Sequence, residues 1–275
     1  MNEKNYVLVE ENEEKTITTI KLNRLEKKNA INWDVLNGLN KAIEEAEQSK
    51  TRVIIITGAT DFFSSGIDLN QLAGQDTASS EKSADLSSPA HFRYYLNTKF
   101  HPIIVKIGKV EKPFIARIEG FCFGLGFELA LACDFRFCLE DARFSMPEVK
   151  IGIIPDVSGT TRLTRLCGIS HAKDIALTGR IFDGKEAYRM GAVNGIVKNR
   201  GDLDNIIKKY TDELIDSAPL AVGLGKKLID DIYGQNFEFG LEMEGLVNSQ
   251  LLQSKDFRTG AIARLQKQKP NWKGK

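Results

Sequence analysis

Two stretches of the chain follow one plan. "RVIIITG" (52–58) and "FIARIEG" (114–120) are apolar, largely β-branched runs that end in glycine. Runs without polar alternation suit strands buried on both faces. Each leads into a loop containing glycine and then into a segment that opens as a helix, "ATDFFSSGIDLNQL" and "FCFGLGFELALA". This repeated unit predicts an α/β architecture of parallel strands with crossover segments, the loops delivering backbone N–H groups to one end of the sheet.

The flanking segments fill in the plan. "KTITTIKL" (15–22) reads as a strand. Asn32 is placed to cap a helix whose apolar stripe is Val35, Leu36, Leu39, Ala42, Ile43 and Ala46. Residues 73–91, "AGQDTASSEKSADLSSPAH", are small and polar and read as a mobile surface loop. From about residue 201 the pattern is almost wholly helical. The expected organisation is therefore a core at 1–200 and a helical appendage at 201–275 that packs on a neighbour.

Of the 275 residues, 42% are hydrophobic and 27% charged, enough to bury a substantial core. The net charge of +1 gives no electrostatic footprint for nucleic acid or an anionic membrane. The four cysteines form no C-x-x-C pair and read as core thiols of a reducing compartment. Three scattered histidines argue against an imidazole metal site, so no metal is expected. The N-terminal residues lack the apolar stretch of a signal peptide, which predicts a cytoplasmic protein, or a matrix protein whose presequence is missing.

The stretch "GFCFGLGFELALACDFR" (120–136) resembles a phosphate loop only superficially. Counting from Gly124, the third glycine of a G-x-G-x-x-G pattern is Leu129, and Gly126 is followed by Phe-Glu rather than by the lysine of a Walker motif. A carboxylate at Glu128, in the first helical turn, would also repel a bound pyrophosphate. A structural role for Glu128 is compensation of the helix N-terminus. A second acidic residue in an apolar setting, Glu148 in "FSMPEVKIGIIPD", favours a chemical one, with Asp156 closing the segment. Carboxylates facing preorganised N–H groups suit proton transfer beside a carbonyl, since the N–H groups stabilise an enolate.

These residues resemble the enoyl-CoA hydratase/isomerase (crotonase) family over nearly the whole chain. "LNRLEKKNAIN" is similar to the family's coenzyme A segment, "FFSSGIDL" to its first oxyanion loop, and "GFCFGLGFELALACDFRF" to its second. "FSMPEVKIGIIPDVSGTTRLTRLCG" and the tail "LQKQKPNWKGK" complete the order. The resemblance implies a crotonase-like (ClpP/crotonase) fold of repeated ββα units, with C-terminal helices that build a homotrimer or a hexamer. It implies an acyl-CoA substrate and no separate cofactor. It gives Glu128 and Glu148 the catalytic roles, and the Ile67 and Leu125 N–H groups the oxyanion hole. Lys27, Ser65, Gly66, Asp68 and the tail lysine Lys267 become the coenzyme A contacts.

Three departures stand out. Leu125 replaces a glycine common in hydratases, so its backbone must adopt an ordinary conformation. Leu25 replaces a proline, and Arg264 stands where phenylalanine is frequent. Asp156 is the most informative residue, because isomerases of the family carry an aspartate in that register. The leading expectation is hydration of a trans-2-enoyl-CoA in fatty acid β-oxidation. The alternative is double-bond isomerisation of an enoyl- or dienoyl-CoA by Glu148 and Asp156. A non-catalytic RNA-binding or scaffold protein is the third reading, and two apolar-flanked glutamates give it no use. For Asp156 itself the structural alternative is a cap on the helix that begins near Ser158.

Overall fold

The structure, a computed structural model, describes residues 5–73 and 88–275. The chain runs β1 (Val7–Glu11), β2 (Ile17–Leu22), α1 (Trp33–Gln48), β3 (Val53–Gly58) and α2 (Leu69–Leu72), then α3 (Pro89–Tyr95), a π-helical turn (Leu96–Phe100) and α4 (His101–Lys109). Next come β4 (Phe114–Ile118), β5 (Phe121–Phe123), α5 (Leu125–Ala132), β6 (Phe135–Leu139) and β7 (Arg143–Ser145). A 3-10 turn (Pro147–Ile151) leads to α6 (Gly159–Thr178), β8 (Phe182–Asp183), α7 (Gly184–Arg189) and β9 (Gly195–Val197). Four helices close the chain: α8 (Arg200–Ile215), α9 (Pro219–Ile232), α10 (Phe237–Leu251) and α11 (Lys255–Leu265).

The main sheet has the order β1-β2-β3-β4-β6-β9, antiparallel at β1–β2 and parallel beyond. A smaller sheet, β5-β7-β8, stands beside it. The expected strand–loop–helix unit is present twice, as β3 to α2 and as β4 through β5 to α5. The unbroken apolar run of β3 is explained by burial on both faces. Ile54 and Ile56 join the core that α1, α4 and α5 build, whereas Val53 and Ile55 pack with Ile115, Phe137 and, from α8, Leu203 and Ile207. Asn32 caps α1 by accepting from Val35 N–H at 3.1 Å, and all six residues of its expected stripe are buried.

Two expectations change. The proposed division at 200/201 falls at the start of α8, yet α8 is what covers the outer face of the sheet, so it belongs to the packing of the core. The chain turns outward later, at α10, which buries no residue and exposes Phe237, Leu241 and Leu246. Of the expected loop at 73–91, residues 74–87 lie outside the described residues, while residues 89–91 open α3 under a Ser88 cap with Pro89 in the first turn. The C-terminal tail is tied back to the helices before it. Asp256, buried at the start of α11, accepts from Lys273 N–H at 2.6 Å and Gly274 N–H at 2.8 Å, and the Trp272 ring N–H donates to Asp216 C=O.

Cys122, Cys133 and Cys138 are buried free thiols, and Cys167 is half-buried. Among the described residues no helix is long and apolar enough to cross a membrane, and no group of side chains forms a metal-binding cluster.

Candidate active site

The two glycine loops meet at one end of the sheet. Ser64 N–H donates to Phe121 C=O and Phe123 N–H to Ser64 C=O, so the loop after β3 pairs with β5. Gly66 (φ 96°) lies so close to the second loop that a Cβ there would stand 2.9 Å from the Phe123 carbonyl oxygen and 3.6 Å from Leu125 N. The close approach and the left-handed backbone together require glycine.

Two N–H groups of these loops, those of Ile67 and Leu125, have no backbone acceptor among the described residues. In the bridge between Ile31 and Ile67, Ile31 N–H donates to Gly66 C=O and Asp68 N–H donates to Ile31 C=O. In a parallel pair that pattern directs the Ile67 N–H to the opposite side. Leu125 is the first residue of α5, where an N–H has no intrahelical partner. Its φ is not positive, as the expectation required, because the preceding Gly124 takes the unusual conformation (φ 49°, ψ −125°). Glycine suits this backbone conformation, and a Cβ here would also press to 2.7 Å from Glu148 Oε1.

Three carboxylates surround this corner, and their partners differ. Glu128, on α5, is 2% exposed. Its Oε1 accepts from Val157 N–H at 2.8 Å and from Gly159 N–H at 2.7 Å. These N–H groups flank Ser158, a non-glycine residue at φ 78°, an arrangement suited to holding an anion. Burial raises the Glu128 carboxyl to about 8, reinforced by the charges of Glu148 and Asp156 and opposed by the two backbone bonds. Glu148 projects from the 3-10 turn, with Oε1 against Gly124 and Oε2 buried without a hydrogen-bond partner among the described residues. Burial pushes it up to about 7, with a further contribution from Asp156. Asp156 is half-buried and also raised, chiefly by burial, against its own backbone N–H and the His101 ring.

The capping role considered for Asp156 falls to another residue. The helix α6 has no side-chain cap at Ser158, and Glu128 holds its first N–H, that of Gly159, together with the Val157 N–H just before it. Glu128 therefore does compensate a helix N-terminus, that of α6 rather than its own. Its commitment runs through one oxygen, Oε1. With Glu148 poised near neutral pH beside it, the pair can hold an acid and a base together.

The family model for enoyl-CoA hydratase/isomerase matches residues 12–275. The chain belongs to that family. It is 35% identical over 260 residues to a probable mitochondrial enoyl-CoA hydratase 2 of Arabidopsis thaliana, covering 94% of this chain and 82% of the relative. It is also 33% identical over 266 residues to the peroxisomal Delta(3,5)-Delta(2,4)-dienoyl-CoA isomerase of the same plant, covering 96% and 95%. The crystal structure of an enoyl-CoA hydratase from Bacillus anthracis superposes with a TM-score of 0.87 at 29% identity, covering 98% of this chain and 100% of that one. The architecture is thus the crotonase fold.

Within this family framework the "LNRLEKKNAIN" segment braces the first loop. Ser65 N–H donates to Lys28 C=O and its hydroxyl to Lys27 C=O, leaving the Lys27 side chain exposed at the loop's rim. Asn29, buried, accepts from Arg24 N–H and donates to Phe62 C=O. Asp68 corrects the expectation of a ligand contact. Its Oδ2 pairs with the buried Arg24 guanidinium at 2.6 Å and its Oδ1 caps α2 by accepting from Asn70 N–H, so its side chain serves the loop. Lys267 and Arg264 are exposed near the C-terminus, and no described contact joins them to these loops. His101, treated in the sequence as one of three scattered histidines, stands at the site with Nε2 2.9 Å from the Asp156 carbonyl oxygen. Nothing in its spacing signals this.

Proposed function

We propose that the chain adds water to a trans-2-enoyl-CoA, giving the 3-hydroxyacyl-CoA. The observation that carries this reading is the placement of Glu128 and Glu148, both displaced toward neutral pH, around a corner where the Ile67 and Leu125 N–H groups meet no acceptor among the described residues. A thioester oxygen placed between those N–H groups would be stabilised as the enolate forms. The ionised member of the glutamate pair takes a proton from water, whose oxygen bonds to C3. The protonated member delivers its proton to C2. Water is consumed, and the pair returns to its starting protonation once the two carboxyls exchange a proton.

Asp156 supports a second reading. Half-buried, free of a capping duty and coupled to both glutamates, it is placed to share proton transfer with Glu148. One carboxylate would remove a proton from an enoyl- or dienoyl-CoA and the other return one further along the chain, moving the double bonds without consuming water. In both readings Lys27, Ser65, Gly66 and Lys267 are the candidate coenzyme A contacts, Lys267 reaching across to a neighbouring subunit of a homotrimer or hexamer. Neither reading needs a cofactor beyond the coenzyme A of the substrate.

The deciding experiment offers the purified protein crotonyl-CoA and a 3,5-dienoyl-CoA in parallel and separates products by mass. Hydration adds the mass of water, whereas isomerisation leaves the mass unchanged and is read from the ultraviolet absorbance of the conjugated 2,4-diene it forms. Failure to convert either thioester would overturn both readings.

A further inference from the structure

One peptide group in the site is gripped at both ends. The carbonyl of Asp156 accepts from His101 Nε2 at 2.9 Å, and the N–H of Val157, on the other side of the same peptide bond, donates to Glu128 Oε1 at 2.8 Å. Since the carbonyl can only accept, the ring nitrogen facing it carries the hydrogen. The result is a chain of donors and acceptors from the imidazole through a planar peptide to the glutamate carboxylate.

We infer that His101 is a positioning residue that acts on Glu128 and Asp156 through the peptide group between Asp156 and Val157. The inference rests on the reading of those carboxylates as reacting groups. Three observations support it. The peptide is planar and stiff, so fixing its oxygen and its nitrogen fixes the plane in which the Asp156 backbone stands, and with it the origin of the Asp156 side chain. A donor at the carbonyl polarises the amide and strengthens the N–H bond to Glu128 beyond what that bond would have alone. Finally, the segment needs an external hold, because Ser158 is in the left-handed region at φ 78°, ψ 2°, costly for a residue with a Cβ.

The local fold around His101 is consistent with aiming the ring. Leu96–Phe100 form a π-helical turn directly before it. Such a turn accommodates an extra residue and rotates the succeeding residues relative to a regular α-helix. Phe100 anchors the turn in the core, 5.0 Å from the Trp33 ring. His101 and Glu128 thus approach the Asp156 segment from two different helices, α4 and α5, one as donor and one as acceptor.

The test compares wild type with His101→Gln and His101→Phe. Glutamine presents an amide N–H at about the reach of the imidazole Nε2, whereas phenylalanine fills the space without a donor. Turnover of crotonyl-CoA and of a 3,5-dienoyl-CoA is measured with hydrogen exchange over residues 155–160, followed by mass spectrometry. The Phe variant should lose about 10- to 100-fold in kcat on whichever thioester the wild type converts, with KM changed less than about 3-fold, since the loss is one of geometry. It should also exchange the Val157 and Gly159 amides faster. The Gln variant should restore both. Wild-type kcat and exchange in the Phe variant would overturn the inference, and so would equal damage in both variants, which would mean that ring packing rather than the donor matters. If the wild type converts neither thioester while exchange still rises in Phe and recovers in Gln, the reaction reading fails and the clamp stands.

Discussion

The two loops that meet at the site share main-chain bonds but differ in what is added to them. The first, around Ser64 to Asp68, carries buried side-chain braces as well: the Arg24–Asp68 ion pair, the amide of Asn29 and the Ser64 hydroxyl. The second, around Gly120 to Leu125, is braced by main-chain bonds, with β5 paired to β7 and Gly124 N–H donating to Ser145 C=O. The difference teaches where each loop is vulnerable. A side-chain brace fails when one residue is changed, whereas a main-chain brace survives such changes and leaves the neighbouring side chains free for chemistry.

The largest expected effect separates chemistry from framework beside the second loop. Glu128→Gln and Glu148→Gln should each fold normally and lose about 10²- to 10⁴-fold in turnover, the usual contribution of a general acid or base. In Glu128→Gln the side-chain amide oxygen can still accept from the Val157 and Gly159 N–H groups that Glu128 holds. Thermal unfolding alongside steady-state rates checks both halves of this expectation, and a folded variant with wild-type turnover would end the catalytic assignment.

In the first loop the framework itself should break. Asp68→Ala leaves the Arg24 guanidinium buried without its partner, a change that typically costs about 3–5 kcal/mol. Urea unfolding midpoints measure it. A loss under about 1 kcal/mol, the scale of an exposed pair, would show that side-chain bracing is not what holds this loop.

The third expectation is a pH dependence confined to the two glutamate carboxyls, Glu128 and Glu148. Their ordinary value is 4.5, and in the folded chain they stand at about 8 and about 7. Between those values the folded state binds more protons than the unfolded one, so the stability these groups contribute is fully present below 4.5 and is lost as pH rises through 7 to 8. The double Gln variant should therefore gain on wild type in urea midpoint as pH rises from about 5 to about 9. A gap that stays constant would contradict the displaced carboxyls. Ser64→Ala should have the smallest effect, about 1–2 kcal/mol, because Gly66 N–H loses its acceptor at 3.1 Å; unchanged stability would mean that this N–H finds another.

What the sequence revealed depended on how far apart the partners lie. The Asn32 cap and the α1 stripe were legible because each is written within one helix. The two-sided burial of β3 was legible from its unbroken run, and the glycines at 66 and 124 marked loops that approach closely. The partners of the acidic residues were not. Glu128 is bonded 29 and 31 residues away, Arg24 reaches Asp68 across 44, and His101 meets Asp156 across 55. No local period encodes such pairs. They exist only once the strands have set the loops side by side, which is also why Asp68 turned out to cap a helix and Asp156 did not.

The alternation along β3 has an evolutionary consequence. Ile54 and Ile56 fill the side of the sheet that supports α5 and its glutamate, while Val53 and Ile55 answer only to the other side, where α8 lies. Close-packed interiors register even a methylene, but a pleated strand sends neighbouring side chains to opposite compartments. Selection can therefore refit the α8 compartment residue by residue while the compartment behind the reacting groups keeps its shape. A single strand acts as a partition between two separately packed compartments, so that a change on one side need not be answered on the other.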